Sequence, residues 1–288
     1  MLTKQTKILI VGLGLLGGSY AKGLSEAGFT VGGLDISEKA VAFALQKGYI
    51  ADGRAHLDGD FIGRYDLIVF ALYPSAFLSW LQENQGFLKR GALLTDVLGV
   101  KGPVVERAQS LLREDLEYIA AHPMAGRELS GIAYANTEMF KKANYIVTPT
   151  EKNTETAIET CKDIGRVLGF SSISTLSPRE HDEMIGFLSQ LTHCIAVSLM
   201  TAKDAEHLAL YTGDSFRDLT RIAKINDEMW SELFLLNKDV LLKEMDAFSE
   251  KFALMREAIA TGDRDALREM MRLSTRRRTF FDDNEPKG

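Results

Sequence analysis

The stretch Lys7-Ile-Leu-Ile-Val-Gly-Leu-Gly-Leu-Leu-Gly-Gly-Ser19 decides how the first half of this chain is read. Its first five residues include an unbroken apolar run, the pattern of a strand buried on both faces. From Leu15 to Ala27 the apolar residues then recur at helical spacing. Between the two lies Gly12-Leu13-Gly14-Leu15-Leu16-Gly17. The first glycine permits a tight strand-to-helix turn, and the second lets backbone approach a pyrophosphate. The third allows close helix–strand packing, and the helix N-terminus offers unpaired N–H groups to phosphate. A second strand, Thr30–Leu34, leads into Asp35, 18 residues beyond Gly17. An acid there accepts hydrogen bonds from a ribose hydroxyl and repels a 2′-phosphate, which favours NAD over NADP.

Outward from this unit, further strands are predicted at 67–71, 92–95, 118–121, 145–148 and 171–175, with helical stretches between them. Apolar strands alternating with helices indicate an α/β, Rossmann-type, doubly wound and mainly parallel sheet. The character changes near Ser177-Pro178. Beyond it the spacing predicts helices over 178–202, 216–225, 229–242, 246–261 and 263–278, with Ser177 and Ser215 as candidate caps. The expected division is a dinucleotide-binding domain over 1–176 and an all-α substrate and dimerisation domain over 177–288. Helices with such wide apolar stripes bury one another within the chain or across a dimer.

Hydrophobic residues make up 45% of the chain and charged residues 26%, ordinary for a globular protein. A formal charge of −6 argues against a polyanion binder, so no nucleic-acid partner is expected. The basic run Thr275-Arg276-Arg277-Arg278 reads as a solvated helix end. Cys161 and Cys194 lie in apolar helical stretches without metal-ligand spacing, so both are expected as reduced core thiols and no metal is expected. The N-terminus lacks a signal-peptide plan, and the apolar segment 185–200 is read as too short and too polar to span a bilayer. A cytoplasmic location with no membrane partner follows. The polar tail, 282–288, is expected to fray.

Ligands of such sheets sit beyond the carboxyl ends of the strands. Three segments end strands there: Ala71-Leu72-Tyr73-Pro74, Thr95-Asp96-Val97-Leu98-Gly99-Val100-Lys101 and Ala121-His122-Pro123-Met124-Ala125-Gly126. Leu72, Pro74, Asp96 and Val97 are thereby candidates for the cofactor site. His122 is the residue expected to do chemistry, since an imidazole deprotonates or polarises a hydroxyl near neutral pH. In the helical half, Arg217 and Arg221 stand four residues apart, spacing that puts two guanidinium groups on one helix face for carboxylates. This is the local positive cluster that an acidic enzyme with an anionic substrate needs. His193 lies on an apolar helix, where a core or interface role is the default.

Taken together, Gly12 to Ser19, Asp96-Val97, His122-Pro-Met-Ala-Gly126, Ser189-Gln-Leu-Thr-His193 and Phe216-Arg-Asp-Leu-Thr-Arg-Ile-Ala223 resemble the prephenate/arogenate dehydrogenase family over nearly the whole chain. The resemblance implies NAD-dependent oxidation of prephenate with loss of CO₂, giving 4-hydroxyphenylpyruvate on the way to tyrosine. It implies His122 at the substrate's 4-hydroxyl and Arg221 at a carboxylate of the dianion. Arg217, His193, Gly126 and Gly99 are placed near the pocket, and the subunits pair as a homodimer through the helical domain. Three departures stand out. Gly99 replaces the family's usual serine, Gln190 and Thr192 interrupt a Ser-His-Leu-Pro-His pattern, and Arg127 follows the His-Pro-Met-Ala-Gly run. Two other readings stay open: a β-hydroxyacid dehydrogenase, although 178–202 offers no lysine, and an NAD-binding regulatory protein without activity. Arogenate is the alternative substrate.

Overall fold

The computed structural model describes residues 2–126, 129–204 and 206–282. Strand β1 (Lys7–Val11) runs into helix α1 (Leu15–Glu26), then β2 (Thr30–Leu34), α2 (Glu38–Gln46), β3 (Asp52–Arg54), the short α3 (Gly59–Ile62) and β4 (Leu67–Phe70). Helix α4 (Pro74–Asn84), β5 (Leu93–Asp96), α5 (Gly102–Leu111) and β6 (Glu117–Tyr118) complete a six-stranded sheet. Its order is β3-β2-β1-β4-β5-β6, with every neighbouring pair parallel. The expected Rossmann-type sheet is present, and β3 is an addition that its sequence, Asp52-Gly-Arg54, does not announce.

Alternation along β1 shows how both faces are filled. Ile8 and Ile10 join Tyr20, Leu24, Cys161 and Ile164 on one side, while Leu9 and Val11 join Phe70, Phe77, Leu81 and Val104 on the other. Successive side chains point to opposite faces, so a strand covered on both sides must be apolar throughout. Cys161 is accordingly a free, buried core thiol, whereas Cys194 is only partly buried.

The strand expected at 118–121 is divided between two sheets. Tyr118 pairs with Leu94 in the first sheet, and the Ile119 amide still donates to the Leu94 carbonyl. The chain then enters β7 (Ala120–Pro123), which pairs antiparallel with β8 (Asn144–Thr148); β8 in turn pairs parallel with β9 (Ser172–Thr175). Helix α6 (Glu155–Leu168) connects β8 to β9 and ends on Gly169 at φ +78°, a left-handed stop suited to glycine. His122 therefore belongs to a three-stranded sheet beside the main one, opposite Ile146.

Ser177 caps α7 (Pro178–Ile185) with a full capping box to Glu180. The helical run then continues through a π-helical turn, Gly186–Leu191, into α8 (Thr192–Thr201). At 24 residues, Pro178–Thr201 is the one described helix long and apolar enough to cross a membrane, so length does not exclude it as first expected. Its polar residues His181, Asp182 and Gln190 are buried within the protein. Helix α9 (Asp214–Thr220) is capped by Gly213 rather than Ser215, and a 3-10 turn, Arg221–Ala223, precedes α10 (Asp227–Leu236). Asn237 breaks the predicted 229–242 helix, and α11 (Lys238–Thr261) and α12 (Arg264–Asp282) follow. The chain clusters into two compact units, 1–238 and 239–288. Of the expected frayed tail only Asp282 lies within the described residues, as the last residue of α12.

Candidate active site

Two of the three glycines of the turn sit where the backbone cannot carry a side chain. Gly12 sits at φ +93°, and a Cβ there would stand 2.4 Å from the Ala71 carbonyl oxygen. At Gly17 a Cβ would stand 1.8 Å from the Gly12 carbonyl oxygen. Gly14 is different: nothing in the protein lies within 4 Å of its Cβ position, so that side of the turn faces open space. It is the N-cap of α1, whose first turn has neither a side-chain cap nor an acidic residue. The uncapped N–H groups and the helix dipole make this an anion-binding end. The turn lies where β1 and β4 adjoin, the point at which the strand order reverses.

Asp35 folds back over the turn, accepting from the Leu13 amide at 2.6 Å and the Ser37 amide at 2.8 Å. Leu15 and Leu16 open α1 and are partly exposed. Leu72 packs against Gly12, and Pro74 is the buried first residue of α4. Helix α10 ties down this loop: Glu232 accepts from the Ser75 amide at 2.6 Å, and Asn226 donates to the Tyr73 hydroxyl at 3.1 Å. Val97 is buried in the sheet. The Asp96 carboxylate is fully buried too and faces inward, accepting from the Lys101 ammonium, the Tyr118 hydroxyl and the Ala121 amide. Its side chain therefore shapes the interior behind β7.

At the end of β7, His122 Nδ1 is 2.9 Å from His181 Nε2, and His181 Nδ1 is 2.8 Å from Asp182 Oδ1. Asp182 also accepts from the Lys101 amide at 2.8 Å and the Gly102 amide at 2.7 Å, closing the N-terminus of α5. Burial first, then the His181 ring and the Lys101 ammonium, hold His122 well below the usual histidine range. Burial likewise lowers His181, opposed in part by Asp182. With both rings neutral, the donors follow. The carboxylate only accepts, so His181 Nδ1 carries a proton and its Nε2 a lone pair. His122 Nδ1–H must donate to that lone pair, which leaves His122 Nε2 as an acceptor.

Gly99 lies beside this ring. A Cβ there would be 3.9 Å from His122 Cε1 and 3.5 Å from the Leu233 side chain, so the glycine leaves room for one small group. Gly126 is exposed at the end of the same segment; Arg127 lies outside the described residues. His193 Nδ1 donates to the Ser189 carbonyl at 2.8 Å, and its ring stacks on Trp230 with centroids 3.8 Å apart. Helix α9 and the 3-10 turn pack on α8, which carries His193. Arg217 and Arg221 are both exposed; Arg217 lies in α9, and Arg221 is its C-cap residue, in right-handed helical conformation, where the 3-10 turn begins. Arg217 donates to the Thr212 carbonyl at 2.7 Å.

Residues 20–173 match the nucleotide-binding domain of prephenate dehydrogenase, and residues 177–273 match its dimerization domain. The chain belongs to the prephenate dehydrogenase family. It is 31% identical to the prephenate dehydrogenase of Bacillus subtilis, over 90% of this chain and 72% of that protein. A crystal structure of Aquifex aeolicus prephenate dehydrogenase, solved with hydroxyphenyl propionate and NAD+, is similar with a TM-score of 0.88 at 27% identity. That match covers 98% of this chain and all of the other. Synechocystis arogenate dehydrogenase is similar with a TM-score of 0.81 at 25% identity, over 96% of this chain and 100% of that one. As a member of this family the chain is an oxidoreductase with a nucleotide-binding N-terminal domain.

Sequence reasoning found both glycine turn and histidine but missed His181, Asp182 and Lys101. One signal was available for the pair: His181 and Ile185 stand four residues apart on the buried stripe of α7, where a polar residue needs a partner. Lys101 closes the strand-end segment Thr95–Lys101, but its burial arises only from the meeting of two sheets.

Proposed function

We propose that this enzyme oxidises prephenate with loss of CO₂, producing 4-hydroxyphenylpyruvate, with His122 as the group that takes the hydroxyl proton. The observation that carries the reading is the His122–His181–Asp182 relay, which leaves the outer nitrogen of His122 as an acceptor. The cofactor is NAD: the Gly12–Gly17 turn, the open Gly14 side and the α1 N-terminus fit a pyrophosphate, and Asp35 fits a ribose bearing a free 2′-hydroxyl. When bound, NAD supplies the hydride acceptor for the ring carbon that carries the hydroxyl.

The chain's own part is proton handling and orientation. His122 Nε2 takes the hydroxyl proton, and the positive charge gained is shared through His181 towards Asp182. Loss of CO₂ makes the ring aromatic, and the same nitrogen returns the proton to the phenolic oxygen. Arg221, with Arg217 and His193, holds the carboxylates of the dianion, and Gly99 and Gly126 border the ring. The working division is 1–176 for the cofactor and 177–288 for substrate and pairing in a cytoplasmic homodimer.

The test is NADH formation at 340 nm with prephenate, arogenate and simple 2- and 3-hydroxyacids. Turnover of prephenate is expected, with His122→Asn lowering kcat by about 10²–10⁴ at unchanged NAD affinity. Preference for arogenate would move the substrate assignment. No absorbance change with any of them, despite NAD binding, would overturn the enzymatic reading.

A further inference from the structure

Among the described residues, Lys101 is the only lysine or arginine that is fully buried. Its ammonium donates to Asp96 Oδ1 at 2.5 Å and to the Ala121 carbonyl at 2.6 Å. Ala121 immediately precedes His122. The Lys101 amide meanwhile donates to Asp182 Oδ1 at 2.8 Å, at the other end of the relay. Side chain and backbone of one residue thus grip both ends of the path His122–His181–Asp182. We infer that Lys101 is a positioning residue for this reaction, pinning the strand beside His122 with its ammonium and the terminal carboxylate with its amide. The inference takes His122 as the proton acceptor, the role assigned above.

The charge adds a second effect in the same direction. The groups around His122 are His181 and Asp182 from α7, Asp96 and Lys101 from β5 and the turn after it, and Tyr118 from β6. From β8 and α10 come the apolar Ile146 and Leu233. Burial and the Asp96 carboxylate act oppositely on Lys101, and Asp96 accepts three hydrogen bonds, so the site holds a paired cation next to the ring. A fixed positive charge there opposes a second one on His122. The Nδ1 contact with His181 leaves Nε2 to accept, and burial together with the nearby charge keeps the proton off it until substrate supplies one.

The discriminating measurement does not need turnover. The chain has five histidines, so imidazole Cε1–H resonances of the NAD-loaded protein can be followed from pH 8 to 5, with His122→Asn assigning its signal. In the wild type, His122 is expected to stay neutral well below pH 6.5; titration at about 6.5 overturns the inference by itself. In the double variant Lys101→Met/Asp96→Asn, which removes the pair without stranding a buried charge, the His122 titration should move measurably up. The acid limb of kcat/KM should move with it. An unmoved titration, with melting temperature and NAD affinity retained, would make Lys101 merely structural and overturn the claim. If prephenate is not turned over but the resonance moves as stated, the proposed reaction fails while the role of Lys101 stands.

Discussion

Replacing Asp182 with asparagine probes the relay at its anchored end. The carboxylate accepts three hydrogen bonds, at 2.7, 2.8 and 2.8 Å, from Gly102, Lys101 and His181. An amide has one acceptor oxygen. Placed at Oδ1 it keeps Lys101 and His181, and its NH₂ then faces the Gly102 N–H, donor against donor. Placed the other way, it opposes two donors, so the first arrangement is favoured. The cost is one charge-assisted bond and an unsatisfied buried donor, about 2–4 kcal/mol, or a fall in Tm of roughly 3–7 °C for a chain of this size. The effect on rate is separate. When His122 takes a proton, the His181–Asp182 bond is strengthened by the negative charge that asparagine lacks. At about 1.5–3 kcal/mol for such a bond, and 1.36 kcal/mol per decade, kcat should fall about 10–150-fold. Differential scanning calorimetry and NADH absorbance at saturating prephenate read the two effects independently. A kcat within threefold of wild type, with Tm lowered as expected, would refute the relay as a participant in proton transfer.

The glycine turn predicts a contrast. Gly17→Ala drives its Cβ against the Gly12 carbonyl and should lower Tm and weaken NAD binding together, whereas Gly14→Ala meets no protein atom and should weaken NAD binding with Tm unchanged; equal melting temperatures for the two would contradict this geometry. Gly99→Ser places its Cβ at ordinary contact distances of 3.5–3.9 Å, so Tm should stay within about 2 °C of wild type, and a clear loss would show that the space is not there. Stability should also fall on acidification. His122 and His181 are held below the unfolded value of about 6.5, so the unfolded chain binds more protons below that pH. Tm is therefore expected to drop between pH 7 and 5, and to drop less in His122→Asn; identical slopes in the two proteins would remove His122 from that account.

The parts of this fold visible in the sequence are those governed by local pattern. Lys7–Val11, the glycines and Leu15–Glu26 are dictated within twenty residues of one another, and Asp35 lies one strand further on. His122 was recognisable because it ends an apolar strand. Its environment was not, because Lys101 and the adjacent pair His181-Asp182 come from two separate places in the chain and meet His122 only through packing. The split of 118–121 between two sheets was hidden for a similar reason: Tyr118 and Ala121 are apolar enough for either sheet, and it is the buried Asp96 that accepts from both. The spacing of Arg217 and Arg221 is visible in the sequence, whereas the 3-10 turn that begins at Arg221 is not, because nothing in Thr220-Arg221-Ile222 signals the tightening.

The π-helical turn at Gly186–Leu191 has a consequence for deletions. A π turn accommodates one residue more than an α-helical path would, so removing a single residue within 186–191 should let the whole run from Pro178 to Thr201 become regular α-helix. Because the π turn absorbs that surplus residue, the stretch beyond the cut would keep its facing relative to His181 and Asp182, whereas making the same residues α-helical without the cut would rotate it by about 100°, the angle of one residue at 3.6 per turn. In that uncut, fully α-helical path His193 would swing off the face of Trp230, while the one-residue deletion should leave the stack in place. The π turn thus cancels the angular offset of one extra residue, keeping the direction of the second histidine against the first.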